Sequence, residues 1–319
     1  MSSATTAGST PATPDTSAAR VSTRAQLARE EERTGWWFSA PALLLLLAFI
    51  VLPFAMAFVF SLTNQRLISP LATSFVGVDN YLAVLTDGVF WKSFWNNVWF
   101  VVLVVPLQTA FALWLAILVN RSIPGRTIFR TIFFMPVVTV MAAAAVVWTL
   151  LYNPTGIINA VMETVTFGAF APDWLNSTTW ALPAIVVVSI WQGVGFQMII
   201  LLAALQDVPG VLYEASAVDG ATRWQQFRNV TLPGIRNGLI FVVTVTTILA
   251  FRLFDQVWIM PQSPGGPLDA TRTMMLHMVD IGFSSQLVGR ASSVAVIFFV
   301  IVLVLTLIQR RFIREEGEI

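Results

Sequence analysis

Cysteine is absent from this chain of 319 residues, and histidine occurs once, as His277. No disulfide, iron–sulfur cluster or thiolate zinc site can be built, nor a metal site or proton relay made of several histidines. Charge is scarce as well: charged residues make up 11% of the chain, where a soluble domain carries about a quarter. Lysine is the scarcest of them, Lys92 being one among 18 basic residues. A P-loop needs G-x-x-x-x-G-K-[ST], because its lysine must reach the nucleotide's phosphates. Lys92 follows Asp87-Gly88-Val89-Phe90-Trp91, with a single upstream glycine at the wrong spacing. Nucleotide hydrolysis by that route is excluded, and a net charge of +1 makes no case for a nucleic-acid partner.

What is abundant is apolar. Hydrophobic residues make up 56% and the mean hydropathy is +0.76, too little polarity to coat a soluble globule. A helix that crosses the ~30 Å hydrocarbon core needs roughly 20 mainly apolar residues. Six runs qualify, at about 36–62, 94–119, 131–151, 182–205, 237–259 and 291–309. They are too long for transmembrane strands, so the expected fold is an all-α membrane bundle of six transmembrane helices. The fifth run carries Arg252 and Asp255 near its end, three residues apart, where they can pair on one helix face.

Orientation follows from the basic residues. Arg20, Arg24, Arg29 and Arg33, then Arg121, Arg126 and Arg130, then Arg223, Arg228 and Arg236, and finally Arg310, Arg311 and Arg314 put 13 on one side. The opposite loops hold four, Arg66, Lys92, Arg272 and Arg290. This bias predicts a multi-pass protein of the plasma membrane with both termini cytoplasmic. Residues 1–35, rich in Ser, Thr, Ala and Pro, are expected to be a disordered cytoplasmic tail rather than a cleaved signal peptide. The six-helix transmembrane bundle is expected over 36–310, with a second short cytoplasmic tail over 311–319.

One cytoplasmic connection is more than a turn. Between Gln206 and Arg236, Pro209 and Gly210 stop the fourth span, and Val211, Leu212, Ala215 and Val218 then recur with a helical period. Gly220 supplies a stop where a left-handed residue is easiest. Thr222 with Gln225 makes a capping box for a second short helix bearing Trp224, Phe227 and Arg228. Thr231-Leu232-Pro233 then opens the fifth span, with the proline in a first turn. Two short helices joined at a glycine form an elbow. An amphipathic helix lying on the lipid surface is the alternative, but such a helix is rich in Lys and Arg, and 207–219 holds only the acids Asp207, Glu214 and Asp219.

Glu214-Ala215-Ser216-Ala217-Val218-Asp219-Gly220-Ala221, followed by Phe227 and Thr231-Leu232-Pro233, resembles the EAA loop of ABC importer permeases, with Ser216 in place of the second alanine. Phe75-Val76-Gly77 with Asn80-Tyr81, Gly125-Arg126 with Arg130, Pro136, Trp148, Gly156-Ile157-Ile158-Asn159, Trp191-Gln192-Gly193 and Pro264-Gly265-Gly266-Pro267 extend the likeness over nearly the whole chain after residue 40. Together they resemble the carbohydrate-uptake branch, on the maltose-type and glycerol-phosphate-type first-permease side. The resemblance implies a MetI-like bundle with cytoplasmic coupling helices over 207–234. Glu214, Ala215, Ser216, Asp219, Gly220, Ala221, Phe227 and Pro233 would then meet an ATPase. It implies a second permease subunit, two ABC ATPase subunits and an extracytoplasmic solute-binding protein as partners. This chain would bind no cofactor, with ATP and Mg on the partner subunits, and would be non-catalytic.

A solute path is sought among polar groups within spans, which usually face a cavity or a neighbouring helix. Ser189, Gln192, Gly193 and Phe196 share a face of the fourth span; Thr246, Ala250 and Leu253 share a stripe of the fifth. An aromatic ring beside hydroxyl and amide groups suits a sugar or polyol. Small and hydroxyl residues also simply let helices pack. For Arg252 and Asp255, pairing or placement near the external end of the span is the expectation, with solute gating as the alternative. His277 falls in an external connection and is expected to be solvated. An ion-coupled secondary transporter is the competing function, yet no clear repeat appears and Asp255 is the one acid placed within a span. A membrane-embedded enzyme would lack catalytic side chains, and a channel would not need the elbow.

Overall fold

The computed structural model describes residues 35–69, 72–121 and 124–314. The tail expected over 1–35 lies outside these apart from Gly35, as do residues 315–319. The chain divides into two compact units, Met1–Met56 and Ala57–Ile319. In the first, the described residues are helical and form most of α1 (Gly35–Ser61). A π-turn at Leu47–Val51 precedes Pro53, which can donate no amide of its own, and the Leu52 amide reaches back to the Leu47 carbonyl.

The second unit is built from α2 (Asp79–Leu85), α3 (Gly88–Asn120), α4 (Arg126–Val138), α5 (Met141–Leu151), α6 (Ile157–Val165), α7 (Ala181–Asp207), α8 (Gly210–Val218), α9 (Arg223–Gln226), α10 (Arg236–Phe251), α11 (Asp255–Ile259), α12 (Met274–Val279) and α13 (Val288–Arg314). Among the described residues there is no strand beyond an isolated bridge between Thr63 and Phe75. Five helices or helix pairs among the described residues are long and apolar enough to span a membrane, with α10 and α11 counted as one, and α4–α5 makes a bent sixth.

Apolar burial explains the arrangement. α3 lies along α7, α10 packs on both, and α4 crosses α7. Ala112, Leu115, Ala116 and Val119 of α3 interlock with Val194, Met198, Leu201 and Leu205 of α7 and with Val242 of α10. A second core joins Phe100 and Val104 to Ala184, Ile185 and Val188, to Val257 of α11 and to Met260 just past its end. A third seats Val84, Phe90 and Met274 against Ala291 and Val294 of α13.

Four expectations need correction. The second span begins at Gly88, not 94, because Asp87 caps the helix by accepting from the Val89 amide at 2.8 Å. The third is not straight: α4 and α5 meet at 100°. Pro136 sits two residues before the end of α4, and both the amide and the hydroxyl of Thr139 turn back onto its carbonyl. The fifth span begins with a separate turn, Leu232–Gly234, and is interrupted after Phe251, so Arg252 and Asp255 do not share a helix face. Helix α13 runs to Arg314, past the boundary expected at 310.

Candidate functional site: a cavity at the broken fifth span and a helical elbow

The break in the fifth span is held by distant side chains. Asn97 of α3, wholly buried, donates to the Phe251 carbonyl at 3.2 Å and accepts from the Met274 amide at 2.8 Å. Thr273, also buried, donates to the Leu253 carbonyl at 2.8 Å and caps α12 through the Leu276 amide. Carbonyls freed where a helix stops must find partners, above all inside a membrane. Here they find them on α3 and at the start of α12, and three segments are tied together at one point.

A cavity of about 750 Å³ opens beside that break, within the range of about 300–1,000 Å³ usual for small-molecule sites. The structure brings to it all seven residues singled out for the solute path: Ser189, Gln192, Gly193 and Phe196 from α7, and Thr246, Ala250 and Leu253 from the fifth span. Apart from Arg252 and Asp255, sequence reasoning missed the rest of the wall. Phe100, Val104 and Gln108 come from α3, Met275 and Met278 from α12, Arg252 and Phe254 from the break itself, and Asp255 and Gln256 from the start of α11. A Cβ on Gly193 would lie 2.4 Å from the Gln108 amide nitrogen, so the missing side chain makes room for that amide against α7. The signal for Gln108 was its polarity inside an apolar run.

Several of these polar groups are already engaged. The Gln197 amide donates to the Thr246 hydroxyl, Gln256 donates to the Ser189 hydroxyl at 3.3 Å, and Ser189 donates to the Ile185 carbonyl at 2.9 Å. Gln192 donates to the Thr139 carbonyl at 3.3 Å and so partners the backbone exposed by the α4–α5 bend. Its place at the cavity therefore coexists with a structural duty.

The elbow has the local chemistry expected of it. Thr222 and Gln225 form both halves of the capping box, and Gly220 takes φ +76°, open to glycine at no cost. Gly210 opens α8 instead of ending the fourth span, which stops at Asp207. The two arms are braced by the Tyr213 hydroxyl, 3.0 Å from that of Thr231, and by Gln226 on the Tyr213 carbonyl. Helix α9 runs on through a π-turn, Phe227–Thr231, and the Trp224 and Phe227 rings stack at 5.5 Å. Glu214, Ala215, Asp219, Gly220 and Pro233 are exposed; Ser216, Ala221 and Phe227 are half-buried. Val211 and Val218, placed on the apolar face of α8, are 65% and 88% exposed.

His277 is not solvated. It lies in α12 and is 4% exposed, under Phe90, with Nε2 3.5 Å from the Asp87 carboxylate. That separation is long for a hydrogen bond. Burial lowers its pKa below the ordinary histidine value more than the Asp87 charge raises it. Close by, Arg272 bridges Asp269 at 2.6 Å and Asp280 at 2.9 Å.

Residues 82–315 match the family described as the binding-protein-dependent transport system inner membrane component. The chain belongs to this family. It is 33% identical to the probable ABC transporter permease protein YesP of Bacillus subtilis over 88% of this chain and 90% of that one. It is 30% identical to the lactose transport system permease protein LacF of Rhizobium radiobacter, over 93% and 99%. The trehalose/maltose transport system permease protein MalF of Thermococcus litoralis is 32% identical over 89% and 94%. In fold it is similar to a chain of a bacterial alginate ABC transporter solved with an alginate-bound periplasmic protein, at a TM-score of 0.76 and 21% identity, covering 91% of this chain and 96% of that one. Membership makes the chain a multi-pass inner-membrane permease of a binding-protein-dependent ABC importer, as its EAA-like elbow suggests, and sets aside the ion-coupled secondary transporter.

Proposed function

We propose that this permease forms half of the path by which a sugar or related polyol is imported, beside a second, related permease subunit. Two ABC ATPase subunits dock on the elbow over 207–234 and carry the ATP and Mg; an extracytoplasmic binding protein delivers the solute. The chain itself is non-catalytic, and both its termini are cytoplasmic. The observation that carries the reading is the cavity of about 750 Å³, walled by hydroxyl, amide and aromatic groups, in a chain of the importer family. Relatives named for lactose and for trehalose/maltose support the solute class.

ATP binding can drive alternating access only if the closed ATPases engage the elbow differently from the open ones. The exposed apolar residues of α8 and the Trp224–Phe227 stack give it a surface on which such a difference can act. Purification of the tagged chain in mild detergent should bring down a P-loop ATPase and a second multi-span permease, and the reconstituted assembly should accumulate a sugar or polyol with ATP. A chain that purifies alone and still transports would refute the proposal.

A further inference from the structure

Two charges stand in the wall of the cavity, Arg252 and Asp255, inside the fifth span. Neither has a hydrogen-bond or ion-pair partner for its side chain among the described residues, and both are exposed to the cavity side of the break. Ionisable groups at membrane depth are costly and sit where they pair or face a polar cavity. The break does not need them: its carbonyls are taken by Asn97 and Thr273. By unwinding between them, the span also prevents the pairing that an intact helix would allow.

We propose that Arg252 and Asp255 are a charge-balanced, hydroxyl-reading pair that makes the cavity select a neutral polyhydroxylated solute. A carboxylate accepts from two neighbouring hydroxyls at once, and a guanidinium donates to hydroxyl or ring oxygens through its fixed fork. Phe254 and Phe196 of the same wall supply the apolar surface that the flat side of a sugar ring needs. With one charge of each sign the wall is neutral overall, so a solute carrying its own carboxylate meets Asp255 with no surplus of positive charge to compensate. The inference rests on the importer reading above and narrows its solute class.

The test uses the full importer complex in proteoliposomes with saturating loaded binding protein. The probes are labelled glucose, maltose, lactose and trehalose, with digalacturonate as the acidic probe. Wild type should take up at least one neutral sugar and exclude digalacturonate. Asp255→Asn and Arg252→Gln should each lower turnover roughly 10- to 100-fold, the worth of a charged hydrogen bond. The half-saturation for loaded binding protein should not change, and Asp255→Glu should retain more turnover than Asp255→Asn. Turnover near wild type in both variants overturns the pair while leaving the importer intact. Loss of the second permease from either purified variant also overturns it, by assigning the charges to a subunit interface. Uptake of digalacturonate by wild type, or of no neutral sugar by a complex that holds its ATPase, overturns the solute class. A complex without any ATPase defeats the importer reading itself.

Discussion

Neighbouring asparagines on α3 provide a controlled experiment on the break. Asn97 is wholly buried and serves the Phe251 carbonyl and the Met274 amide. Asn96, half-buried, donates at 2.9 Å to the carbonyls of both Asp269 and Arg272. Both make two hydrogen bonds to backbone, so what differs is access to water. Asn97→Leu keeps the shape but leaves one buried carbonyl and one buried amide unpaired, each costing about 1–3 kcal/mol. The extra apolar burial returns about 1–2 kcal/mol, for a mid-range net loss of about 2–3 kcal/mol. Asn96→Leu frees carbonyls that solvent can reach, and about 1 kcal/mol or less is expected. At roughly 2–4 °C per kcal/mol, Asn97→Leu should lower the melting temperature in detergent by about 4–12 °C. Asn96→Leu should lower it by a few degrees at most. Fluorescence-detected size exclusion after a heat series reads both. Equal shifts in the two variants would refute the claim that buried backbone satisfaction at the break governs this part of the fold.

Three further predictions concern other parts of the chain. A Cβ on Gly195 would stand 2.1 Å from the Phe133 carbonyl oxygen, so Gly195→Ala must separate α4 from α7 and should cost about 1–3 kcal/mol; Gly193→Ala meets only the movable Gln108 amide and should cost less, both read by the same melts. Gly220→Pro cannot adopt φ +76° and should abolish ATP-driven uptake while the chain stays in the membrane, whereas Gly220→Asn should transport; normal uptake by the proline variant would remove the elbow from the coupling path. Because burial lowers the His277 pKa from 6.5, the unfolded chain binds the extra proton first, so stability present above about pH 6.5 should be lost as pH falls below it. His277→Gln should flatten that slope between pH 5 and 8 on the order of one proton's worth, and an unchanged slope would assign it to other groups.

The spans were legible because a charge-free run of this length has no soluble alternative, and the elbow because its chemistry is local. Thr222 caps Gln225 three residues on, and Gly220 turns the chain by its own freedom, so short windows of sequence contain both cause and effect. The α4–α5 bend lay between these cases. Pro136 and the β-branched run Val137–Val140 weaken the helix locally, but the carbonyl they expose at Thr139 is answered by Gln192, 53 residues away. The fifth-span break was not legible at all. Residues 252–254 contain neither glycine nor proline, and what permits the chain to unwind there is Asn97, 154 residues from Phe251 and 177 from Met274. His277 was misplaced for the same reason, since the ring and carboxylate that enclose it come from the start of α3. Asn97 and Thr273 tie the fifth-span break to α3 and to the start of α12, so Arg252 and Asp255 stand at a junction of three segments far apart in sequence.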